Sequence, residues 1–404
     1  MRRWIICVAL ILSLCATRAE LDLSPVATPA PTPSTPPLPT APLMDAMPFH
    51  ADCAAALLME AETGQIIFEM NADSQRPAAS VTKVMTILLT LEALDAGRLS
   101  ADEIVTVSRT AAGMGGSQVL LDVGERQSVS TLLRTVIVGS ANDSAVALAE
   151  AMYGSEALCA DAMNRRAGEL GMTGSHFVNC TGLPADGQHT TARDVAIMAR
   201  QMFSHPEYFA HAGVWMEDID HGDGRVTQLV NTNKLLRLYD GCDGGKTGST
   251  KEAGYCVAAT AARGGMRLIA VVLGAGSGAE RFDIAGRVFD YGFANYRLYP
   301  VARRGTRVRG LLPVTGGERP GVALMLDGNL TLLAPKGGES PARLTPRLPE
   351  SIDAPVRAGQ KVGSVAVTRD GAILAEIPVV ACEDVDASGF ASRWRRLWQR
   401  WPLV

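Results

Sequence analysis

Near Arg297 the chain changes texture, and that change bounds the folds open to it. Before it, helical spacing of apolar residues mixes with short continuous apolar runs. From there to Val380 helical periodicity fades. Short alternating runs remain at Val322–Leu326, Leu330–Leu333, Lys361–Val367 and Ala372–Val379, cut by Asp327-Gly328-Asn329, Lys336-Gly337-Gly338 and Arg369-Asp370-Gly371. A chain of 404 residues exceeds one typical domain. The pattern predicts a larger mixed domain over residues 51–296 and a small all-β domain over 297–384.

Within the larger domain, Ala54–Glu60 and Gln65–Met70 flank Ala61-Glu62-Thr63-Gly64 and read as a hairpin. Helical patterns follow at Val84–Ala93, Val129–Val138, Ser144–Met152, Ser155–Leu170 and Thr191–Phe203. Tyr255–Ala262 and Met266–Leu273 read as buried strands, and a last helix covers about Glu280–Tyr291. Strands at both ends with helices between them predict an α/β (α+β) unit in which early and late strands share one sheet.

The termini are of another kind. Arg2-Arg3 precede an apolar run from Trp4 to Leu14, with Thr17 and Ala19 beyond, which predicts a secretory signal peptide over residues 1–19. Residues 20–50 are rich in Pro, Thr, Ala and Ser and read as an extended linker. Residues 385–404 place Phe390, Trp394, Leu397, Trp398 and Trp401 on one helical face and most of Arg393, Arg395, Arg396 and Arg400 elsewhere. Such a face suits a membrane surface, against the plainer alternative of packing on its own domain. The net charge of −4 gives no global sign of nucleic-acid binding. Cys53, Cys159, Cys180, Cys242, Cys256 and Cys382 are scattered without zinc-type spacing and read as small buried thiols.

Three polar constellations stand out. Arg76-Pro77-Ala78-Ala79-Ser80-Val81-Thr82-Lys83 leads into a helix; if that helix starts near Ser80, Lys83 lies almost one turn on and shares its face. A lysine whose charge is disfavoured can take the proton of a serine hydroxyl. Ser140-Ala141-Asn142 interrupts two helical runs and sets a hydroxyl beside a carboxamide. Asp243-Gly244-Gly245-Lys246-Thr247-Gly248-Ser249-Thr250 offers a cation and hydroxyls in a glycine-rich stretch, suited to a carboxylate. Each alone is ordinary: a helix cap, a turn, a glycine-rich loop.

In this order the three form the Ser-x-x-Lys, Ser-x-Asn, Lys-Thr-Gly set of penicillin-binding proteins and serine β-lactamases. The sequence resembles most the D-alanyl-D-alanine carboxypeptidases of the low-molecular-mass penicillin-binding protein type. Glu62-Thr63-Gly64, Pro77–Thr86, Gly115-Gly116-Ser117, Ser140–Glu150, Thr190-Thr191-Ala192, Asn233-Lys234-Leu235-Leu236 and Asp243–Gly248 carry the likeness. It implies a catalytic domain of the penicillin-binding fold, an antiparallel sheet flanked by helices, with the all-β domain behind it.

The resemblance also implies an activity: removal of the terminal D-alanine from a peptidoglycan stem pentapeptide through an acyl-enzyme on Ser80. Lys83 is then the base, its pKa depressed by burial and by Lys246. Ser140 and Lys246 relay protons, and Asn142 orients Lys83 and the substrate. The N–H groups of Ser80 and Ser249 form the oxyanion hole. Thr247, beside Gly248, and Arg281 take the terminal carboxylate. β-Lactams acylate Ser80, no metal or organic cofactor is needed, and the enzyme works outside the cytoplasmic membrane, held by its tail. Gly245 departs from the family, which usually has an apolar residue there, and threatens to loosen the strand edge. The rivals are a β-lactamase, disfavoured by Ala141 where class A enzymes usually have Asp, a transpeptidase or endopeptidase on the same chemistry, and a silent penicillin-binding wall protein.

Overall fold

The computed structural model describes Leu43 and residues 51–337, 342–369 and 372–389. The expected signal peptide, nearly all of the linker, and the amphipathic face from Phe390 onward lie outside the described residues. The described residues form two compact units. The larger runs to Leu298 and takes in Leu333–Gly337; the smaller holds Tyr299–Leu332 and the described residues from 342 onward.

The larger unit opens with a hairpin, β1 (Ala55–Glu60) and β2 (Ile66–Met70). A 3₁₀ turn, Ala79–Thr82, leads into α1 (Lys83–Asp95). Then come β3 (Ile104–Thr106), α2 (Arg109–Ala112), β4 (Arg126–Ser128), α3 (Val129–Val138) and α4 (Asn142–Tyr153). After α5 (Glu156–Glu169), α6 (Ala192–Met202) and α7 (Pro206–Ala212) lies a second hairpin, β5 (Met216–Asp220) and β6 (Val226–Val230). A short α8 (Leu235–Leu238) precedes β7 (Cys242–Thr250), β8 (Gly254–Arg263), β9 (Met266–Ala275) and α9 (Gly278–Asn295).

The main sheet has the order β2-β1-β9-β8-β7, every pair antiparallel, so the first and last strands share one sheet as expected. Its central strands are apolar on both faces, and successive residues feed opposite layers. Leu57, Met59, Ile269 and Val271 enter the helical core on one side; Leu58, Leu268, Ala270 and Val272 enter the layer under α9 on the other. The helix α1 is buried on nearly every side, as its run of Val, Met, Ile and Leu requires. Its hydroxyls are satisfied internally: Thr86 donates to the Cys180 carbonyl at 2.7 Å and Thr90 to the Thr86 carbonyl at 2.9 Å.

After β10 (Tyr296–Ala302) come β11 (Arg307–Thr315), β12 (Gly321–Leu326), β13 (Leu330–Pro335), β14 (Arg343–Arg347), β15 (Ile352–Asp353), β16 (Lys361–Arg369) and β17 (Ala372–Ala381). The smaller unit is all-β, a six-stranded sheet of order β14-β16-β17-β12-β11-β15 around its own valine- and leucine-rich core. All six cysteines are free thiols.

Candidate active site

The Ser80 turn is held from both ends. The Arg76 backbone pairs with Thr190 in both directions, and Val81 N–H closes onto the Ala78 carbonyl. The helix expected near Ser80 begins instead at Lys83, and Ser80 sits in the tighter 3₁₀ turn before it. The side chains still converge: Lys83 Nζ donates to Ser80 Oγ at 3.0 Å. Its other partner is the Thr181 carbonyl at 2.6 Å. Lys83 is wholly buried, and burial pulls its pKa down to about 7 against the attraction of Asp143 and Glu156.

Ser140 lies in the link between α3 and α4 at φ +64°, a region non-glycine residues rarely adopt. That geometry turns its hydroxyl inward, where it accepts from Lys246 Nζ at 2.8 Å. Asn142 opens α4, and its Nδ2 donates to the Gly115 carbonyl at 2.6 Å. Asn142 was expected to hold Lys83; the carbonyl of Thr181 takes that place. The Asn142 Oδ1 is buried with no partner, an acceptor left open inside the cluster. The loop facing Asn142 is fixed by the buried Asp143 carboxylate, which accepts from Val119 N–H at 3.1 Å and Leu121 N–H at 3.2 Å.

The Lys-Thr-Gly stretch, read as a glycine-rich loop, is the edge strand β7. Its backbone groups point alternately to β8 and to the open edge. Gly248 faces β8, where its carbonyl and that of its partner Cys256 both accept from Arg281, at 3.0 and 3.1 Å. Gly245, Thr247 and Ser249 therefore present their backbone groups to the edge. The Thr247 carbonyl accepts from Lys246 Nζ at 3.0 Å, and the Thr247 hydroxyl donates to Thr232 Oγ1 at 2.9 Å. The Ser249 side chain is exposed. The strand also presses on the Ser80 turn: a Cβ on Gly248 would lie 2.7 Å from Ser80 N.

Gly245 does not loosen this edge. Its φ of +152° and a Cβ position only 2.8 Å from both the Ala258 carbonyl and Asn233 Nδ2 admit no side chain. The buried Tyr208 hydroxyl accepts from Gly245 N–H and donates to its carbonyl, and Asn233 Nδ2 donates to the Gly244 carbonyl at 3.1 Å.

Ser80, Lys83, Ser140, Asn142, Lys246, Thr247 and Gly248 thus gather where the Ser80 turn, the α3–α4 link and β7 meet. Arg281 reaches the same strand from α9. The cluster is cationic and dry. Lys246 is buried, and its pKa falls well below the usual lysine range through burial and the nearby Lys83 and Arg281 charges. The mutual effect of the two lysines, expected to lower Lys83, falls on Lys246. Burial also lowers Arg281, whose Nε has no partner. A hydroxyl against a near-neutral amine can be acylated, and buried cations beside an edge strand suit a peptide ending in a carboxylate. Thr181, Tyr208, Thr232 and Asp143 escaped the sequence reading; Asn233 and Gly115 lay in stretches that drew attention without a role.

The family model described as D-alanyl-D-alanine carboxypeptidase matches residues 43–277, and that of the penicillin-binding protein 5 C-terminal domain matches 296–387. The D-alanyl-D-alanine carboxypeptidase DacF of Bacillus subtilis is 36% identical over 351 residues, covering 87% of this chain and 90% of that relative. Penicillin-binding protein 5 of Haemophilus influenzae superposes with a TM-score of 0.73 at 29% identity, over 84% of this chain and 99% of that one. Penicillin-binding protein D2 of Listeria monocytogenes, solved in its ampicillin-bound form, gives a TM-score of 0.54 at 34% identity over 60% of this chain and 98% of its own.

Proposed function

This chain belongs to the D-alanyl-D-alanine carboxypeptidase family and is a serine carboxypeptidase of the cell wall, and we propose that its reaction runs through an acyl-enzyme on Ser80. The observation that carries this reading is the buried Lys83 amine, 3.0 Å from Ser80 Oγ and with a pKa near 7. Near neutrality much of that amine is unprotonated and free to accept the serine proton.

Ser80 Oγ attacks the carbonyl carbon between the two terminal D-alanines while its proton passes to Lys83. Charge on the carbonyl oxygen is met by the N–H groups of Ser80 and Ser249; the edge-facing direction of Ser249 supports that role. The C–N bond then breaks. The leaving D-alanine amine takes its proton through Ser140 and Lys246, which share a 2.8 Å hydrogen bond. Water hydrolyses the ester, freeing the shortened stem peptide and Ser80. Thr247 and Arg281 bind the terminal carboxylate, and the open Oδ1 of Asn142 accepts from a substrate backbone N–H. A β-lactam acylates Ser80 by the same first step.

The address is part of the proposal. Arg2-Arg3 with the following apolar run export the chain, and the Trp- and Arg-rich tail holds it at the outer face of the cytoplasmic membrane. No helix among the described residues is long and apolar enough to cross a membrane.

Labelled penicillin tests the chemistry. The expected result is one covalent adduct on the parent protein, none on Ser80→Ala, and D-alanine release from a pentapeptide. An adduct that survives Ser80→Ala sinks the assignment, and adduct without release favours a silent receptor. Deleting Ser392–Val404 is expected to free the processed protein from membranes; unchanged association rejects the anchor.

A further inference from the structure

Beyond β7 lies a second concavity, on the sheet face away from the Ser80 turn. A cleft of about 650 Å³ opens between α8 and the first turns of α9. Leu235 and Phe282, in the core layer under α9, form its apolar wall with Tyr239, and Leu238 stands beside them at 70% exposure.

The charges in this cleft do not cancel. Asp283 faces Arg287 at 3.6 Å, and Asp290 accepts from the Tyr239 hydroxyl at 2.8 Å and lies 3.5 Å from Arg263. No acidic side chain among the described residues pairs with Lys234 or Arg281, and the printed partners of Arg281 are neutral carbonyls. Gly278 and Ala279 add the N-terminal turn of an 18-residue helix, whose dipole favours negative charge. Two uncompensated cations, a helix N-terminus and an apolar wall suit an anionic ligand with apolar side groups.

The cleft is continuous with the site already described. Arg281 lines it and also donates to the Gly248 carbonyl of β7. A ligand here therefore lies beside a substrate bound on β7. Peptidoglycan carries many such peptides on one polymer, each with free carboxylates and alanine methyls.

We propose that this cleft binds a second stem peptide of the strand whose first peptide occupies the catalytic site, its carboxylate meeting Lys234 and the start of α9. The inference rests on the carboxypeptidase reading and deepens it: the cleft gives the enzyme a preference for polymer over isolated peptide. Because the contact is between charges at a surface, it weakens as salt rises.

The test compares the full chain with Leu238→Glu and Lys234→Gln. D-alanine release is measured from soluble uncross-linked peptidoglycan strands and from a single pentapeptide, with labelled-penicillin acylation as the folding control. The expected result is a KM for the strands raised about fivefold or more. KM for the single peptide and the acylation rate stay within about twofold of the parent. Salt should erode the parent's preference for strands and leave the variants unmoved. Equal effects on both substrates, or none on the strands, overturn the proposal. A parent protein that forms no penicillin adduct fails the acyl-transfer reading instead.

Discussion

The Tyr208 hydroxyl engages both backbone groups of Gly245, accepting its N–H at 2.8 Å and donating to its carbonyl at 3.2 Å. No strand lies beyond β7, so one phenol stands where a neighbouring strand would be. Tyr208 is fully buried, and burial raises its pKa far above the usual tyrosine range, so it remains a donor. Tyr208→Phe leaves two buried backbone groups unpaired, at a cost of about 1–3 kcal/mol each at most. The urea midpoint should fall with an unchanged slope. Acylation by penicillin should slow as well, because the next residue is Lys246.

The pH dependence of acylation follows from Lys83. Its pKa lies near 7 because burial disfavours the charged amine. Below that value Lys83 holds its proton and cannot take one from Ser80. The acylation rate should therefore fall about tenfold per pH unit below about 7 and level off above it. The stability linkage has the same sign. The unfolded lysine keeps its ordinary pKa, so between pH 7 and that value the unfolded chain binds more protons, and stability rises with pH. Lys83→Met should abolish acylation and flatten that slope. Stopped-flow acylation and urea titrations at several pH values check both.

Ser140 carries a chemical and a conformational role that two substitutions can separate. Ser140→Gly and Ser140→Ala both remove the hydroxyl that accepts from Lys246. Both should slow acylation about 10²-fold or more. Only glycine fits a φ of +64° without strain, so the alanine variant should be less stable by about 1 kcal/mol. Equal stabilities would mean that the link relaxes when the hydroxyl is lost.

How much of this was legible in the sequence depended on whether a contact was local. Ser80 and Lys83 are three residues apart, and helical spacing predicts their meeting even though the turn is 3₁₀. The partner of Lys83 at Thr181 is 98 residues away and uses a backbone carbonyl, which leaves no trace in residue type. The strand β7 was missed because it is an edge: its outward groups serve the site, so Cys242–Thr250 has no apolar alternation. The β5–β6 hairpin was missed for a related reason, since most of its residues are polar or exposed. Gly245 was recognised as unusual, but its reason is a side chain 37 positions earlier. The three-layer core was readable because β1, β8 and β9 are continuous apolar runs.

Gly248 sets the distance between the edge strand and the nucleophile. A Cβ there would lie 2.7 Å from Ala78 O, 2.7 Å from Ser80 N and 2.8 Å from Val81 N. All three are backbone atoms, so none can rotate aside. Gly248→Ala must therefore push the Ser80 turn and β7 apart, moving Ser80 N–H away from Ser249 N–H and Oγ away from the substrate. A displacement of about 1 Å costs on the order of 10²-fold in rate. The variant should still fold, because the layer under α9 is untouched, and its labelled-penicillin acylation should drop by about that factor. Ser249→Ala is the matched control. That side chain is exposed, and its proposed role uses only the backbone N–H, so acylation should stay within about threefold of the parent. A large loss in Ser249→Ala would mean that the hydroxyl contacts the ligand, and an unchanged rate in Gly248→Ala would mean that the turn is not held by β7.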